Sequence, residues 1–175
     1  MDDLVKQAMA KWPNVPDCFG WLGLDARGDW YMRDDAAQAA GRFPDSPQSR
    51  GAVLRHEQLL GFIARNYAGD AQGRWFFQNG PQRVYVELEC APYVWRVAPD
   101  FSATAHTGEP AGAVREALLD EDGKLYLATP LGLGLVHTLD MVHAAEAVES
   151  GVWNPLPVRA EDLESRCGFQ RHPVA

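Results

Sequence analysis

The sequence predicts a small α+β protein in which antiparallel β-hairpins pack against a few helices. Three observations support this class: a strand-like alternation, helix-like apolar spacing, and an Asp-x-x-Gly turn that occurs three times. The chain has 175 residues, 46% apolar and 23% charged, which suits a globular protein that needs no metal or disulfide to fold. We predict a single α+β domain over residues 1–150 and a C-terminal extension over 151–175 that carries a short helix.

The helices are predicted from apolar residues spaced i, i+3, i+4 and i+7. This spacing indicates a helix over residues 2–12, through Val5, Ala8, Met9 and Trp12. A second helix is predicted over 52–67, with the apolar face Leu60, Ile63, Ala64 and Tyr67. A third covers 140–149 with Asp140 as its N-cap. Residues 34–51 are rich in Ala, Pro, Ser, Asp and Gly, which predicts a surface connection.

Four hairpins are predicted between these helices. The clearest strand signal is 82–89, where Val84, Val86 and Leu88 alternate with more polar residues. It follows a strand at 74–78 across the turn dipeptide Asn79-Gly80. The other pairs are 19–24 with 29–33, 93–98 with 101–106, and 114–119 with 124–128.

An internal repeat is suggested by the three turns. Asp25-x-x-Gly28, Asp70-x-x-Gly73 and Asp120-x-x-Gly123 each lead into an aromatic or apolar strand, at spacings of 45 and 50 residues. Asp in first position and Gly in fourth are the residues that a type I turn favours. Regular spacing is typical of repeated structural units, but the same turn is common in unrelated β-proteins. Both interpretations stay open at this point.

Charge and cysteine content narrow the classes of partner. The 24 acidic and 16 basic residues give a net charge of −8, with no run of Lys or Arg, which disfavours nucleic acid and anionic membranes. No segment reaches the roughly 20 apolar residues of a membrane span, and the acidic N-terminus is unlike a secretory signal. Three distant cysteines, Cys18, Cys90 and Cys167, indicate free thiols in a reducing cytoplasm.

No established catalytic motif is present, and we predict no cofactor. Two constellations support an alternative, a small metal- or His/Glu-dependent hydrolase. The first is a turn that holds His106 and Glu109, a pairing that can perform acid–base chemistry but is more simply a plain turn. The second is a metal site at His137, Asp140 and His143, followed by Glu146. Side chains three apart on a helix drift by about 60° per step, so all four cannot converge.

Ligand-binding candidates are the arginines and aromatics around the central hairpin. Arginine suits carboxylate or phosphate, and aromatic rings can line a cleft. We select Arg55, Arg65, Trp75, Arg83, Tyr85 and Arg96. The alternative is that the arginines form ordinary ion pairs with Glu87 and Glu89, and that the rings belong to the core.

The order of motifs resembles a proteobacterial domain-of-unknown-function family, number 1285, or a related uncharacterised family. The likeness covers about residues 19–96, with a weaker similarity to 150. It consists of Gly28-x-Trp30, Arg55 before an apolar helix, Gly73-Arg74-Trp75, and the strand end from Val86 to Tyr93. Cys90 and Asn79-Gly80 depart from the family pattern. The resemblance implies an α+β fold with repeated motifs and a role in signal transduction, and it supplies no catalytic residues.

These observations together favour a non-enzymatic binding module with a regulatory role. Its partner is expected to be a small ligand or a protein. Association with a second copy is also expected to be accessible, because open strand edges can pair between chains.

Overall fold

The structure is a computed structural model that describes residues 1–175. Six α-helices accompany two six-stranded mixed β-sheets, so the predicted α+β class is confirmed. None of the helices has the length and apolar character that crossing a bilayer requires. The helices are α1 (Asp3–Lys11), α2 (Asp35–Ala39), α3 (Pro47–Arg50), α4 (Glu57–Arg65), α5 (Met141–Glu149) and α6 (Leu163–Cys167).

The contacts divide the chain into two compact units, each with its own sheet. Unit 1 comprises residues 1–25, 29–89 and 169–175, and unit 2 comprises 26–28 and 90–168. We expected one domain over 1–150 and an extension over 151–175. The structure assigns 151–168 to unit 2 and 169–175 to unit 1. Cooperative folding of 1–150 as one domain stays a prediction.

The sheet of unit 1 has the order β3-β2-β1-β6-β5-β4. Its two central strands, β1 and β6, are parallel, and every other neighbouring pair is antiparallel. Helix α4 covers one face, where the rings of Phe62 and Phe77 meet edge to face at 5.4 Å. The strands are β1 (Cys18–Leu24), β2 (Trp30–Met32), β3 (Ala52–Val53), β4 (Tyr67–Gly69), β5 (Trp75–Asn79) and β6 (Gln82–Leu88).

The sheet of unit 2 has the order β12-β9-β10-β11-β7-β8. Strands β11 and β7 are parallel, as are β12 and β9. Trp95 is fully buried in this unit, and its indole N–H donates to the Leu127 carbonyl at 3.0 Å. The strands are β7 (Tyr93–Val97), β8 (Ala103–Ala105), β9 (Glu116–Leu119), β10 (Leu125–Ala128), β11 (Leu133–Val136) and β12 (Leu156–Pro157).

The two sheets share one order of connections. In unit 1 the hairpin β1-β2 precedes the meander β4-β5-β6, whose last strand pairs in parallel with β1. In unit 2 the hairpin β7-β8 precedes the meander β9-β10-β11, whose last strand pairs in parallel with β7. Unit 1 differs by inserting α2, α3, β3 and α4 between hairpin and meander. The internal repeat suggested by the three Asp-x-x-Gly turns stays a prediction.

The three Asp-x-x-Gly segments each form a turn between paired strands. In each one the Asp carboxylate accepts the backbone N–H four residues later, at 2.8 or 2.9 Å. The glycines have φ between 76° and 86°, a region that disfavours residues with a Cβ. The turn between β7 and β8 has the same backbone pattern, but Phe101 takes the left-handed position with φ 65°.

Several predicted boundaries are wrong. The helix predicted over 52–67 covers only α4, because residues 52–53 form β3 and 67–69 form β4. Pairing of β4 with β5 outweighs the local helical pattern there. The surface connection at 34–51 contains α2 and α3. Strand β11 was not predicted, because it is only four residues long and includes Gly134, and a glycine inside a strand weakens its signal. Asp140 precedes α5 without capping it through its side chain.

Candidate functional site

A β-bulge interrupts β1 in unit 1. Cys18 pairs with Val84 and Leu22 with Val86, so four residues of β1 advance against only two of β6. Gly20 lies inside the bulge with φ 81°, which a residue with a side chain rarely adopts. Bulges redirect side chains and are frequent beside functional sites. Here Trp21 emerges with 38% of its surface exposed, whereas the next residues of β1 return to the core.

An apolar cavity lies between this bulge and helix α4. We call it the Trp21 cavity. Its volume is about 310 Å³, at the small end of the range for ligand sites. It has no charged side chain, and its polar groups are the Cys18 thiol, the Trp21 indole N–H and the amides of Asn79 and Gln82. The amide of Gln82 donates to the Pro16 carbonyl at 3.1 Å. The lining residues are Cys18, Trp21, Leu22, Met32, Leu59, Ile63, Phe77, Asn79, Gln82 and Val84.

The buried side chain of Arg33 fixes the backbone beside the cavity. Arg33 is 3% exposed, and its guanidinium donates to four backbone carbonyls. One is Gly20 in the bulge, at 3.0 Å, and the others are Ser49, Ala37 and Gly41 at 2.7, 3.3 and 2.6 Å. Burial lowers the pKa of Arg33, although the charges of nearby carboxylates oppose this effect. The guanidinium thus ties segment 34–51 to the bulge.

Met32 extends the apolar surface beyond the cavity. Its side chain is 43% exposed and also lines a second hollow of about 660 Å³ over α2 and α3. Trp21 and Met32 are the two exposed large apolar side chains among the residues that line the Trp21 cavity. The two side chains continue the apolar surface of the half-open cavity, and contiguous exposed apolar surface is one mark of a binding site.

The six ligand-binding residues predicted from the sequence do not form one site. Arg83 stacks over the Phe76 ring at 4.6 Å, and Tyr85 also contacts Phe76, so these two lie together. Trp75 packs against Tyr67 at 5.0 Å. Arg55 is exposed before α4, and Arg65 pairs with Asp2 at 3.2 Å. Arg96 belongs to unit 2. None of the six lines the Trp21 cavity, and their role in binding stays a prediction.

Tyr85 is part of a polar cluster at the Asp70 turn. Its hydroxyl and the Arg74 guanidinium both contact the Asp70 carboxylate, at 3.1 and 2.8 Å. Burial alone raises the pKa of Asp70, but hydrogen bonds from Arg74, Tyr85 and Gln72 outweigh it and lower the pKa. The carboxylate therefore stays ionised and paired, which stabilises the turn.

The residues of the alternative metal site are engaged elsewhere in unit 2. The Asp140 carboxylate accepts two bonds from the Arg96 guanidinium and one from the Val97 N–H. These bonds, the Arg96 bond foremost, lower the pKa of Asp140. His137 accepts the Leu139 N–H through Nδ1, and His143 lies 3.7 Å from Glu146. No three His, Cys, Asp or Glu side chains in the chain form a group suited to a metal.

His106 lies in the predicted turn between β8 and β9. Its Nδ1 accepts the Val94 N–H at 3.3 Å, and its ring lies against Tyr93. Burial lowers the pKa of His106 to about 3. A base this weak is poorly matched to proton transfer near neutral pH. The neighbouring Tyr93 hydroxyl has its pKa raised, by burial first and then by the charge of Glu109.

The cavity residues were missed by sequence reasoning, although one signal was available. Gly20 sits inside a predicted strand, and a glycine in a strand interior often marks a bulge. The adjacent Trp21 could then be expected to change face. Arg33 gives no comparable signal, because nothing in its neighbourhood distinguishes a buried arginine from a surface one.

The fold and the site define an α+β protein with two mixed sheets, in which an apolar cavity lies beside a bulged strand. A family model named DUF2944 and described as "Protein of unknown function (DUF2946)" matches residues 1–174, and the chain belongs to this family. Among curated proteins, none matches the chain.

Two solved structures are similar. A DUF1285 family protein from Silicibacter pomeroyi DSS-3 has 14% identity and a TM-score of 0.52, over 83% of this chain and 84% of that one. Another DUF1285 family protein, from Shewanella baltica OS155, has 16% identity and a TM-score of 0.48, over 72% and 91%. The predicted relation to family 1285 or a related uncharacterised family is confirmed. At this identity the likeness shows the fold alone.

Proposed function

We propose that this chain is a non-enzymatic binding module whose unit 1 takes a small, uncharged, amphipathic molecule in the Trp21 cavity. The observation that carries the proposal is the cavity itself, a half-open hollow lined by the bulged strand and α4 and without a charged side chain. The family match and the structural likeness support an uncharacterised protein and are compatible with this role.

The lining chemistry selects the ligand class. Its aliphatic, aromatic and thioether groups favour an apolar body, and the amides of Asn79 and Gln82 offer hydrogen bonds to a polar end. A charged group inside would lose its hydration without a countercharge, which costs several kcal/mol. A volume of about 310 Å³ limits the ligand to a compact molecule.

The position of the cavity supports a regulatory role. Its walls include α4 and Met32, the residue before Arg33, so a bound molecule would stabilise both α4 and the segment that Arg33 holds. Ligand-dependent order in these elements is a mechanism for signal transduction. The three cysteines form no disulfide, which supports a cytoplasmic location, and the net charge of −8 argues against nucleic acid as the partner.

A matched pair of fluorescent probes tests the ligand class. N-phenyl-1-naphthylamine is uncharged, and 1-anilinonaphthalene-8-sulfonate adds an anionic group to the same rings. We expect the uncharged probe to bind one to one and to raise the melting temperature, because a ligand that binds only the folded state stabilises it. The sulfonate should bind at least tenfold more weakly.

Variants locate the binding. Leu59→Phe narrows the cavity and should weaken binding of the uncharged probe at least tenfold. Leu156→Phe, on an exposed strand of unit 2, is the control and should leave binding unchanged. Equal binding of both probes, or equal binding by both variants, would refute the proposal.

A further inference from the structure

The last seven residues of the chain occupy a defined position on unit 1. We call residues 169–175 the strap. The chain enters unit 1 again at Phe169 after all of unit 2, and Phe169 is 4% exposed. Pro173 is also buried, whereas Val174 is 71% exposed. The strap therefore has two apolar anchors, four residues apart, in a segment without regular secondary structure.

Hydrogen bonds fix the strap along its length. The Gln170 N–H donates to the Gly73 carbonyl at 2.9 Å, and its side chain donates to the Gln72 carbonyl at 3.0 Å. The Arg171 carbonyl accepts the Leu88 N–H at 2.8 Å. Near the end, the Val174 carbonyl accepts from Arg74 at 3.4 Å. Main-chain bonds combined with side-chain anchors are the usual means by which proteins hold an extended peptide.

The strap covers a part of β6 that β5 leaves open. Strand β5 pairs with β6 only from Gln82 to Tyr85, so the last residues of β6 have no partner strand on that side. The Leu88 N–H lies there and is satisfied by the strap. An uncovered strand edge is a template for pairing with another chain.

Glu87 makes the position selective. It is 9% exposed, and the hydrogen bond to its carboxylate comes from the His172 ring at 2.5 Å. A buried carboxylate needs such a partner. A segment that replaces the strap must therefore supply a donor at the position of His172, as well as apolar groups at those of Phe169 and Pro173.

We propose that this position, formed by the Asp70 turn, Glu87 and the end of β6, is a peptide-binding site that accepts the strap of a second copy of this chain. We infer this occupant because the chain's own strap fits the site through its hydrogen bonds and buried side chains, and a second copy carries an identical segment. Gly168, in the left-handed conformation at φ 70°, ends α6 directly before the strap, so the strap begins where the regular structure of unit 2 stops. Exchange of an identical element is a low-cost route to a dimer. The site uses none of the residues that line the Trp21 cavity.

A labelled peptide tests whether the site accepts the strap from outside. The probe is a fluorescein-labelled peptide of residues 168–175, titrated into full-length chains and followed by anisotropy. His172→Ala weakens the resident strap, so we expect this variant to bind the peptide at least tenfold more tightly than the unmodified chain. Val174→Ala is the matched control and should behave like the unmodified chain. Phe169→Ala is a second variant, with folding checked by circular dichroism. Failure of both folded variants to bind the peptide would overturn the proposal.

Mixing two variants tests the second copy as the occupant. In the Phe169→Ala chain the strap lacks one apolar anchor, so its binding site is open to another strap. In the Glu87→Ala chain the strap is intact, but the site lacks the carboxylate that contacts His172. Native mass spectrometry of the mixture should show a one-to-one heterodimer that neither variant forms alone. Monomers in the mixture, even where the peptide binds, would refute strap exchange.

Discussion

Acidification should destabilise the protein through His106, and the structure gives the size of the effect. The ring accepts the Val94 N–H through Nδ1, so protonation of Nδ1 would place two donors face to face. Burial favours the neutral ring further and lowers its pKa to about 3. In the unfolded chain the pKa of histidine is about 6.5. As the pH falls below about 6.5, the unfolded state binds a proton that the folded state does not.

The magnitude follows from the linkage between proton binding and folding. The contribution of His106 to stability is intact above about pH 6.5 and is lost progressively as the pH falls towards about 3. Between pH 7 and pH 5, pKa values of about 3 and 6.5 correspond to a loss of about 2 kcal/mol. That is a substantial part of the stability of a small domain.

Urea denaturation at pH 7 and pH 5 measures this loss. His106→Asn retains an acceptor for Val94 and removes the titration, so its stability should fall about 2 kcal/mol less than that of the unmodified chain. His143→Asn replaces a half-buried histidine of the same unit and should follow the unmodified chain. If His106→Asn and the unmodified chain lose the same stability between pH 7 and pH 5, the assigned role of His106 is refuted.

Two further substitutions test the framework of unit 1. Arg33→Met removes the donor of four backbone carbonyls and should cost about 3–5 kcal/mol in urea denaturation. Arg83→Met replaces a half-buried arginine over the Phe76 ring and should cost about 1 kcal/mol or less. Equal losses of stability in the two variants would show that the Arg33 guanidinium does not hold segment 34–51 against the bulge. Gly51→Ala would place a Cβ against the Met32 carbonyl and should cost about 3 kcal/mol or more, whereas Gly123→Ala, at a similar φ with open space, should cost about 1–2 kcal/mol. Similar melting temperatures for the two alanine variants would contradict the close approach at Gly51.

Local sequence patterns predicted the hairpins. They failed where contacts between residues far apart in sequence determine the secondary structure. Asn79-Gly80 marks a tight turn between two strand-like segments, so 74–78 and 82–89 were found close to their observed positions. Tyr67 continues a helical pattern, yet it forms β4 because β5 offers it hydrogen bonds. The parallel pairings of β1 with β6 and of β7 with β11 join segments far apart in sequence, which no local pattern encodes.

The candidate site depended even more on distant contacts. Trp21 reaches the cavity because β1 is bulged against β6, and Arg33 is buried because the carbonyls of 34–51 fold around it. The sequence instead suggested the arginines near the central hairpin, of which Arg65 forms an ion pair and Arg96 lies in unit 2. Arginine content alone does not distinguish a ligand site from such partners.

The binding proposal is tested most directly at Met32. The chain has four methionines, which are Met1, Met9, Met32 and Met141. Met32 lines the Trp21 cavity, and Met141 lines a separate apolar hollow of about 220 Å³ in unit 2. In a protein labelled with ¹³C-methyl methionine, titration with N-phenyl-1-naphthylamine should shift the Met32 signal in a saturable manner, leave the Met141 signal in place, and have no effect in Leu59→Phe. A shift of Met141 with Met32 unchanged, or no shift at all, would contradict a ligand site in unit 1.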